Sequence, residues 1–95
     1  MANIEVVAAR GDTERMTFDV TVREGRSETH HDVTLARADL ERLARPGEPP
    51  ERFLRRCFEF LLAREPKESI LGRFDVSVIS RYFPEFEDEI VHQAV

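Results

Sequence analysis

The stretch Arg15-Met16-Thr17-Phe18-Asp19-Val20-Thr21-Val22-Arg23 decides the fold class, because polar and apolar residues alternate in it without interruption. Side chains of a β-strand point alternately to its two faces, so this stretch has one apolar face and one polar face. The apolar face carries Met16, Phe18, Val20 and Val22. The pattern predicts a half-buried strand over about 15–23.

Weaker alternation on both sides predicts two further strands, over about 3–9 and about 28–36. The first has Ile4, Val6 and Ala8 on one face, and the second has Thr29, His31, Val33 and Leu35 on one face. The segments 10–13 and 24–27 between the strands each contain glycine beside polar residues that favour tight turns. The first third of the chain is therefore predicted to be a three-stranded antiparallel meander.

Beyond Leu35 the apolar residues recur every three or four positions, which is the spacing of amphipathic helices. We predict three to four helices, over about 37–45, 50–64, 66–71 with 75–83, and 85–93. Pro46-Gly47 ends the first helix, and Asp75 is the expected N-cap of the segment 75–83.

Because the strands come first and the helices follow, the sequence predicts an α+β fold in which the helices pack on one face of the sheet. We expect a single compact domain over residues 1–95, since two domains would not fit. A three-stranded sheet has two exposed edges, and no Lys or Pro protects the second or third strand. We therefore expect edge pairing, with a homodimer as its natural product.

Composition narrows the class of protein. The chain is 41% hydrophobic with a net charge of −5, and no stretch is long and apolar enough for a membrane span. The first residues lack the pattern of a secretory signal, and the single Cys57 cannot form an internal disulfide. All but one of the 14 basic residues are arginine, as in proteins from GC-rich bacterial genomes. We expect a cytoplasmic bacterial protein with no membrane association.

We predict no catalytic, cofactor-binding or metal-binding residues. His30 and His31 are adjacent in a strand and point to opposite faces, so they cannot bind one ion, and His31 is expected at the margin of the core. Cys57 lies on the apolar stripe of a helix, where a small buried side chain is typical. The acidic segment 85–89 fits the start of a helix, and the four glycines form no phosphate-binding loop.

Arg52, Arg55 and Arg56 are candidates for contact with an anion or nucleic acid, because they gather on the polar side of the segment 50–64. Residues 37–64 carry 7 basic and 5 acidic groups, in a chain that is acidic elsewhere. The order of strand 32–36, short helix 38–44 and longer helix 52–62 resembles the ribbon-helix-helix DNA-binding family. That resemblance implies outward polar or basic residues on the ribbon, whereas this strand offers Asp32, Thr34 and Ala36.

Three function classes follow from these observations. The first is a small non-enzymatic protein that acts through protein–protein contacts or homodimerisation. The alternative is a nucleic-acid-binding regulator that uses the arginine face, although nucleic acid is the less favoured partner. A small-ligand or catalytic module would require a pocket where His31, Ser80 and Tyr82 converge.

Overall fold

In the computed structural model, which describes residues 2–92, the alternating stretch is the second strand of a four-stranded mixed sheet. The strands are β1 (Asn3–Gly11), β2 (Arg15–Glu24), β3 (Ser27–Ala36) and β4 (Arg73–Asp75), and their order in the sheet is β1-β2-β3-β4. The first three form the expected antiparallel meander. β4 pairs with β3 in parallel.

The helices are α1 (Arg37–Leu43), α2 (Pro50–Leu62), α3 (Ile79–Tyr82) and α4 (Phe86–His92), with 3₁₀ turns at Lys67–Ser69 and Val76–Val78. The α+β prediction is therefore confirmed. The predicted helix 66–71 is reduced to a single 3₁₀ turn. The predicted helix 85–93 is present up to His92, and position 93 lies outside the described residues.

β4 is the element that the sequence prediction missed. Residues 75–83 were expected to form one helix, but Asp75 ends a strand, a 3₁₀ turn follows, and α-helix begins only at Ile79. Three residues are too few to show alternation, so pairing with β3, not local sequence, specifies this strand. The expected capping role of Asp75 is confirmed, because its carboxylate accepts a hydrogen bond from the Ser77 backbone N–H at 3.1 Å.

The edges of the sheet differ from the expectation for three strands. β2 lies inside the sheet, and β4 pairs with β3 over Asp32–Thr34. The Asp32 N–H also donates to the carbonyl of Gly72, in the loop that precedes β4. One of the two expected edges is thus partly covered, whereas the outer edge of β1 has no neighbouring strand among residues 2–92.

The core lies between the apolar face of the sheet and α2. Val20 and Val33 of the sheet have no exposed surface, and neither do Phe53, Leu54 and Phe58 of α2. Burying a side chain of this size contributes about 1.5–3 kcal/mol to the free energy of folding, so the packing of α2 against the sheet is the main source of stability. On the polar face of β2, Arg15, Asp19 and Arg23 are exposed. No helix within residues 2–92 is long and apolar enough to cross a lipid bilayer.

Candidate functional site

β1 is the exposed edge of the sheet. Its nine residues pair only with β2, and within the described part of the chain no loop or helix donates a backbone hydrogen bond to its outer side. An unpaired edge presents a row of N–H and C=O groups that can receive another strand. β1 is therefore the place where this sheet can be extended.

The β2–β3 hairpin determines which backbone groups face this edge. Its turn is Gly25-Arg26, with Gly25 at φ 59°, and Glu24 pairs with Ser27 across the turn. A two-residue hairpin closes on a hydrogen-bonded pair, and bonded and non-bonded pairs alternate along an antiparallel ladder. Glu24, Val22 and Val20 are therefore the residues of β2 that form backbone hydrogen bonds with β3. Thr21 lies between Val20 and Val22, so its N–H and C=O groups point away from β3 and towards β1.

Thr21 pairs with Glu5, so the N–H and C=O groups of Glu5 form hydrogen bonds with β2. The backbone groups of Val7, two residues later, point to β2 in the same way. The intervening residues Ile4, Val6 and Ala8 direct their N–H and C=O groups outward. A partner strand would form hydrogen bonds with these three residues.

Of the features that protect a sheet edge from pairing, β1 has two charged side chains and a bulge near its end but lacks lysine and proline. β1 contains no Lys or Pro, and Val7, on the polar face, is 58% exposed. A bulge between Ala8 and Arg10 shifts the register, so that Arg10 pairs with Thr17. Because Thr17 belongs to the polar face of β2, the bulge brings Arg10 to the same face as Glu5 and Val7.

The charges on this face are arranged unevenly. Arg23 donates to Glu28 at 2.9 Å and to Glu5 at 3.0 Å, which raises the pKa of Arg23 and lowers the pKa of Glu28. Arg10, at the opposite end of β1 from Arg23, forms no ion pair with any described residue. The face thus carries an acidic group at one end of β1 and an available cation at the other.

A groove of about 310 Å³ lies where β1 ends. It is bounded by the 8–12 segment of β1 and its turn, by Met16–Phe18 of β2, and by Pro50 and Glu51 at the start of α2. Ala8, which belongs to the apolar face of β1 and lines the groove, is exposed. The groove is therefore continuous with the free edge.

The structure separates the three candidate arginines. Arg52 and Arg55 are exposed on α2, but Arg56 is buried. Arg56 donates to Glu48 at 2.7 Å and 2.8 Å and to the carbonyl of Ile90 at 2.7 Å. These hydrogen bonds raise the pKa of Arg56 and lower the pKa of Glu48. Arg56 therefore joins α2 to α4 and does not extend a phosphate-binding face.

The strand 32–36, which corresponds to the ribbon of ribbon-helix-helix proteins, is not free to bind DNA either. The strand 32–36 is part of β3, which lies between β2 and β4. Its polar side carries Thr34, whose hydroxyl donates to Asp75, and Asp32, which lies 3.6 Å from Arg73. These contacts place the strand within the sheet, where it cannot enter a major groove as a separate ribbon.

His31 is buried, as expected for a residue beside the core. Its ring contacts Phe58, with centroids 5.3 Å apart, and its two nitrogens lie 2.7 Å from the carbonyl oxygen of Leu71 and 2.8 Å from the Thr29 hydroxyl. His30 points to the polar face, where it contacts Glu28. The two rings thus occupy opposite faces, and no group of three or more His, Cys, Asp or Glu within residues 2–92 is arranged to hold a metal ion.

Cys57 and the acidic segment 85–89 have structural contacts. Cys57 is buried on α2, and this burial raises the pKa of its thiol. In the acidic segment, Glu85 and Glu89 accept hydrogen bonds from Arg64, while Glu87 accepts from Arg42. The segment therefore binds arginines of other elements and connects α4 to the rest of the helical layer.

The pocket required for a small ligand is not assembled from the expected residues. Ser80 donates to the carbonyl of Ser77, and Tyr82 is 66% exposed. The small apolar cavity beside Tyr82 is lined by residues such as Leu71, Val78 and Phe83 and includes neither His31 nor Ser80. These three side chains therefore do not converge.

Sequence reasoning did not identify Glu5, Val7 and Arg10 as site residues. The available signal was the run Val6-Val7-Ala8-Ala9, which makes both faces of the first strand apolar where a strand with one polar face would alternate.

Comparison with protein-family models found no match to this chain, and comparisons with curated proteins and with solved structures likewise found none.

Proposed function

We propose that this protein is a non-enzymatic interaction module that associates through the outer edge of β1. The observation that carries the proposal is the nine-residue edge with one neighbour, without Lys or Pro, and with Val7 58% exposed. Strand addition at such an edge gains main-chain hydrogen bonds together with side-chain contacts on both faces. The proposal places the protein in the cytoplasm of a bacterial cell, where a lone cysteine remains reduced.

Sedimentation velocity over a range of micromolar concentrations tests this proposal with two variants. Val7→Lys places a charge on the edge, which opposes strand pairing. Val91→Lys is the matched control, because Val91 is 46% exposed on α4, away from the sheet. We expect the wild type and Val91→Lys to form dimers and Val7→Lys to remain monomeric. A wild type that is monomeric throughout and that also retains no partner protein in a pulldown contradicts the proposal.

Binding to nucleic acid is the second candidate, and it is favoured by Arg52 and Arg55. Both are exposed on α2, and neither forms an ion pair with a described residue, so both are available for phosphate oxygens. Two such contacts predict that affinity for bulk DNA falls about 10-fold between about 50 and 200 mM salt, and that Arg52→Glu with Arg55→Glu abolishes it. Absence of binding at the lower salt concentration excludes this candidate.

A further inference from the structure

We infer that the strand received by β1 is β1 of a second copy of this chain, antiparallel and centred on Val7. This inference rests on the proposed function, and it adds the identity of the partner and the register of pairing. The product is a continuous eight-stranded sheet with one two-fold axis, twice the four strands of each copy.

Symmetry limits the possible registers. A two-fold axis between antiparallel copies of one strand passes through the middle of a residue pair, so each register is centred on a single residue. Centres at Ile4 and Glu5 would leave Ala8 without an opposite residue inside the strand, which begins at Asn3, so the registers compared are those centred on Val6, Val7 and Ala8. The charges and exposed surface of these three registers differ.

The register centred on Val7 is the one with matching charges. It places Glu5 opposite position 9 of the partner, where the bulge presents Ala9 and Arg10 together on the same face. Arg10 has no ion-pair partner among the described residues, so two symmetric Glu5–Arg10 contacts can form. Centring on Val6 places Glu5 opposite Val7, and centring on Ala8 places Glu5 opposite Gly11; neither brings the opposite charges together.

The same register covers the exposed aliphatic surface. The two Val7 side chains meet as a non-hydrogen-bonded pair, in which side chains are closest. Val6 of each copy forms a bonded pair with Ala8 of the other, which gives about four main-chain hydrogen bonds. This pairing also places Val6 beside Ala8 at the mouth of the 310 Å³ groove.

Charge exchange tests the inference. Glu5→Arg alone places two pairs of cations across the interface, and Arg10→Glu alone places two pairs of anions. Each variant should dimerise about 10-fold or more weakly than the wild type. An equimolar mixture should regain association, because both contacts between the two variants then join opposite charges. Sedimentation of each variant and of the mixture measures these effects, and circular dichroism checks that both variants are folded.

Disulfide trapping tests the centre of the register independently. Val7→Cys should oxidise to a covalent dimer faster than Val6→Cys, because the Val7 pair lies on the two-fold axis at a distance that a disulfide spans. Buried Cys57 is not accessible to this reaction. Faster trapping through Val6→Cys, or a mixture that fails to associate, contradicts the register even if the wild type is a dimer. A monomeric wild type whose β1 edge captures a different protein strand contradicts the second copy as partner, whereas a monomeric wild type that captures no partner contradicts the proposed function itself.

Discussion

Arg56 and Glu48 form a buried ion pair whose disruption should be costly. Their side chains are 8% and 2% exposed, and Arg56 also donates to the Ile90 carbonyl. Arg56→Ala leaves Glu48 buried without its main charge partner, so we expect the free energy of unfolding to fall by about 3–5 kcal/mol. Urea unfolding followed by circular dichroism measures this loss.

Arg52→Ala is the matched control for that measurement, because Arg52 is an exposed arginine on the same helix. We expect it to change the free energy of unfolding by about 0.5 kcal/mol or less. Equal effects of the two substitutions would show that the Arg56–Glu48 contact does not join α2 to the loop before it.

The contribution of this pair should depend on pH in the acid range. Hydrogen bonds from Arg56 lower the pKa of Glu48 below the ordinary 4.5 of an unfolded glutamate. The stabilisation is therefore complete above about 4.5 and is lost as the pH falls through the lower folded value. The difference in unfolding free energy between wild type and Glu48→Gln should shrink on acidification below 4.5. A difference that stays constant down to the acid transition would contradict this assignment.

Cys57 should be unreactive while the protein is folded. It is 1% exposed, and burial raises the pKa of its thiol. Reaction with a disulfide reagent at mildly alkaline pH then requires unfolding, so we expect labelling to be about a thousand-fold slower than in denaturant. Rapid labelling of the folded protein would show that the helix opens locally.

At the level of elements, prediction from sequence succeeded where periodicity was long. β2 and α2 were predicted within about two residues because their apolar faces repeat over nine or more positions. β4 has only three residues, and its conformation depends on pairing with Val33 and its neighbours, far away in the sequence. No local pattern carries that information.

Asp75 should be the residue that holds β4 in place. Its carboxylate accepts hydrogen bonds from Arg15, Thr34 and the backbone and hydroxyl of Ser77. Although burial favours the neutral form, these hydrogen bonds keep the pKa of Asp75 below its usual value. Asp75→Ala removes a helix cap and charged hydrogen bonds, so we expect a loss of about 2–3 kcal/mol in urea unfolding.

Asp32→Ala is the control for Asp75, since Asp32 is half exposed and lies 3.6 Å from an exposed arginine. Its effect should stay below about 1 kcal/mol. A comparable loss in both variants would indicate that general charge on this face, not the Asp75 contacts, stabilises β4.

At the level of the whole molecule, association should make stability depend on concentration. Dimerisation stabilises only the folded state, so a tenfold rise in protein concentration should raise the Tm by about 3–5 °C. Val7→Lys should show no such rise. Differential scanning calorimetry at several concentrations gives this result directly, and a wild-type Tm that is independent of concentration speaks against association.

The candidate site was harder to predict than the fold because it depends on strand order. The predicted meander already had the first strand at an edge, but it offered two equivalent edges, and only the unpredicted β4, which partly covers β3, distinguishes them. The burial of Arg56 was unpredictable for a related reason, since it requires Glu48 from a loop and Ile90 from α4. Helical spacing alone does not reveal such distant partners.

The two ends of the sheet differ, and this difference limits the proposed assembly. β4 and the loop before it run beside β3 and leave only a three-residue strand at that end, too short to receive another molecule firmly. If only the β1 end of the sheet can pair, that edge is fully occupied once two molecules have paired. The proposed assembly through β1 therefore stops at a dimer, so concentrated solutions of this protein should contain discrete particles in place of filaments.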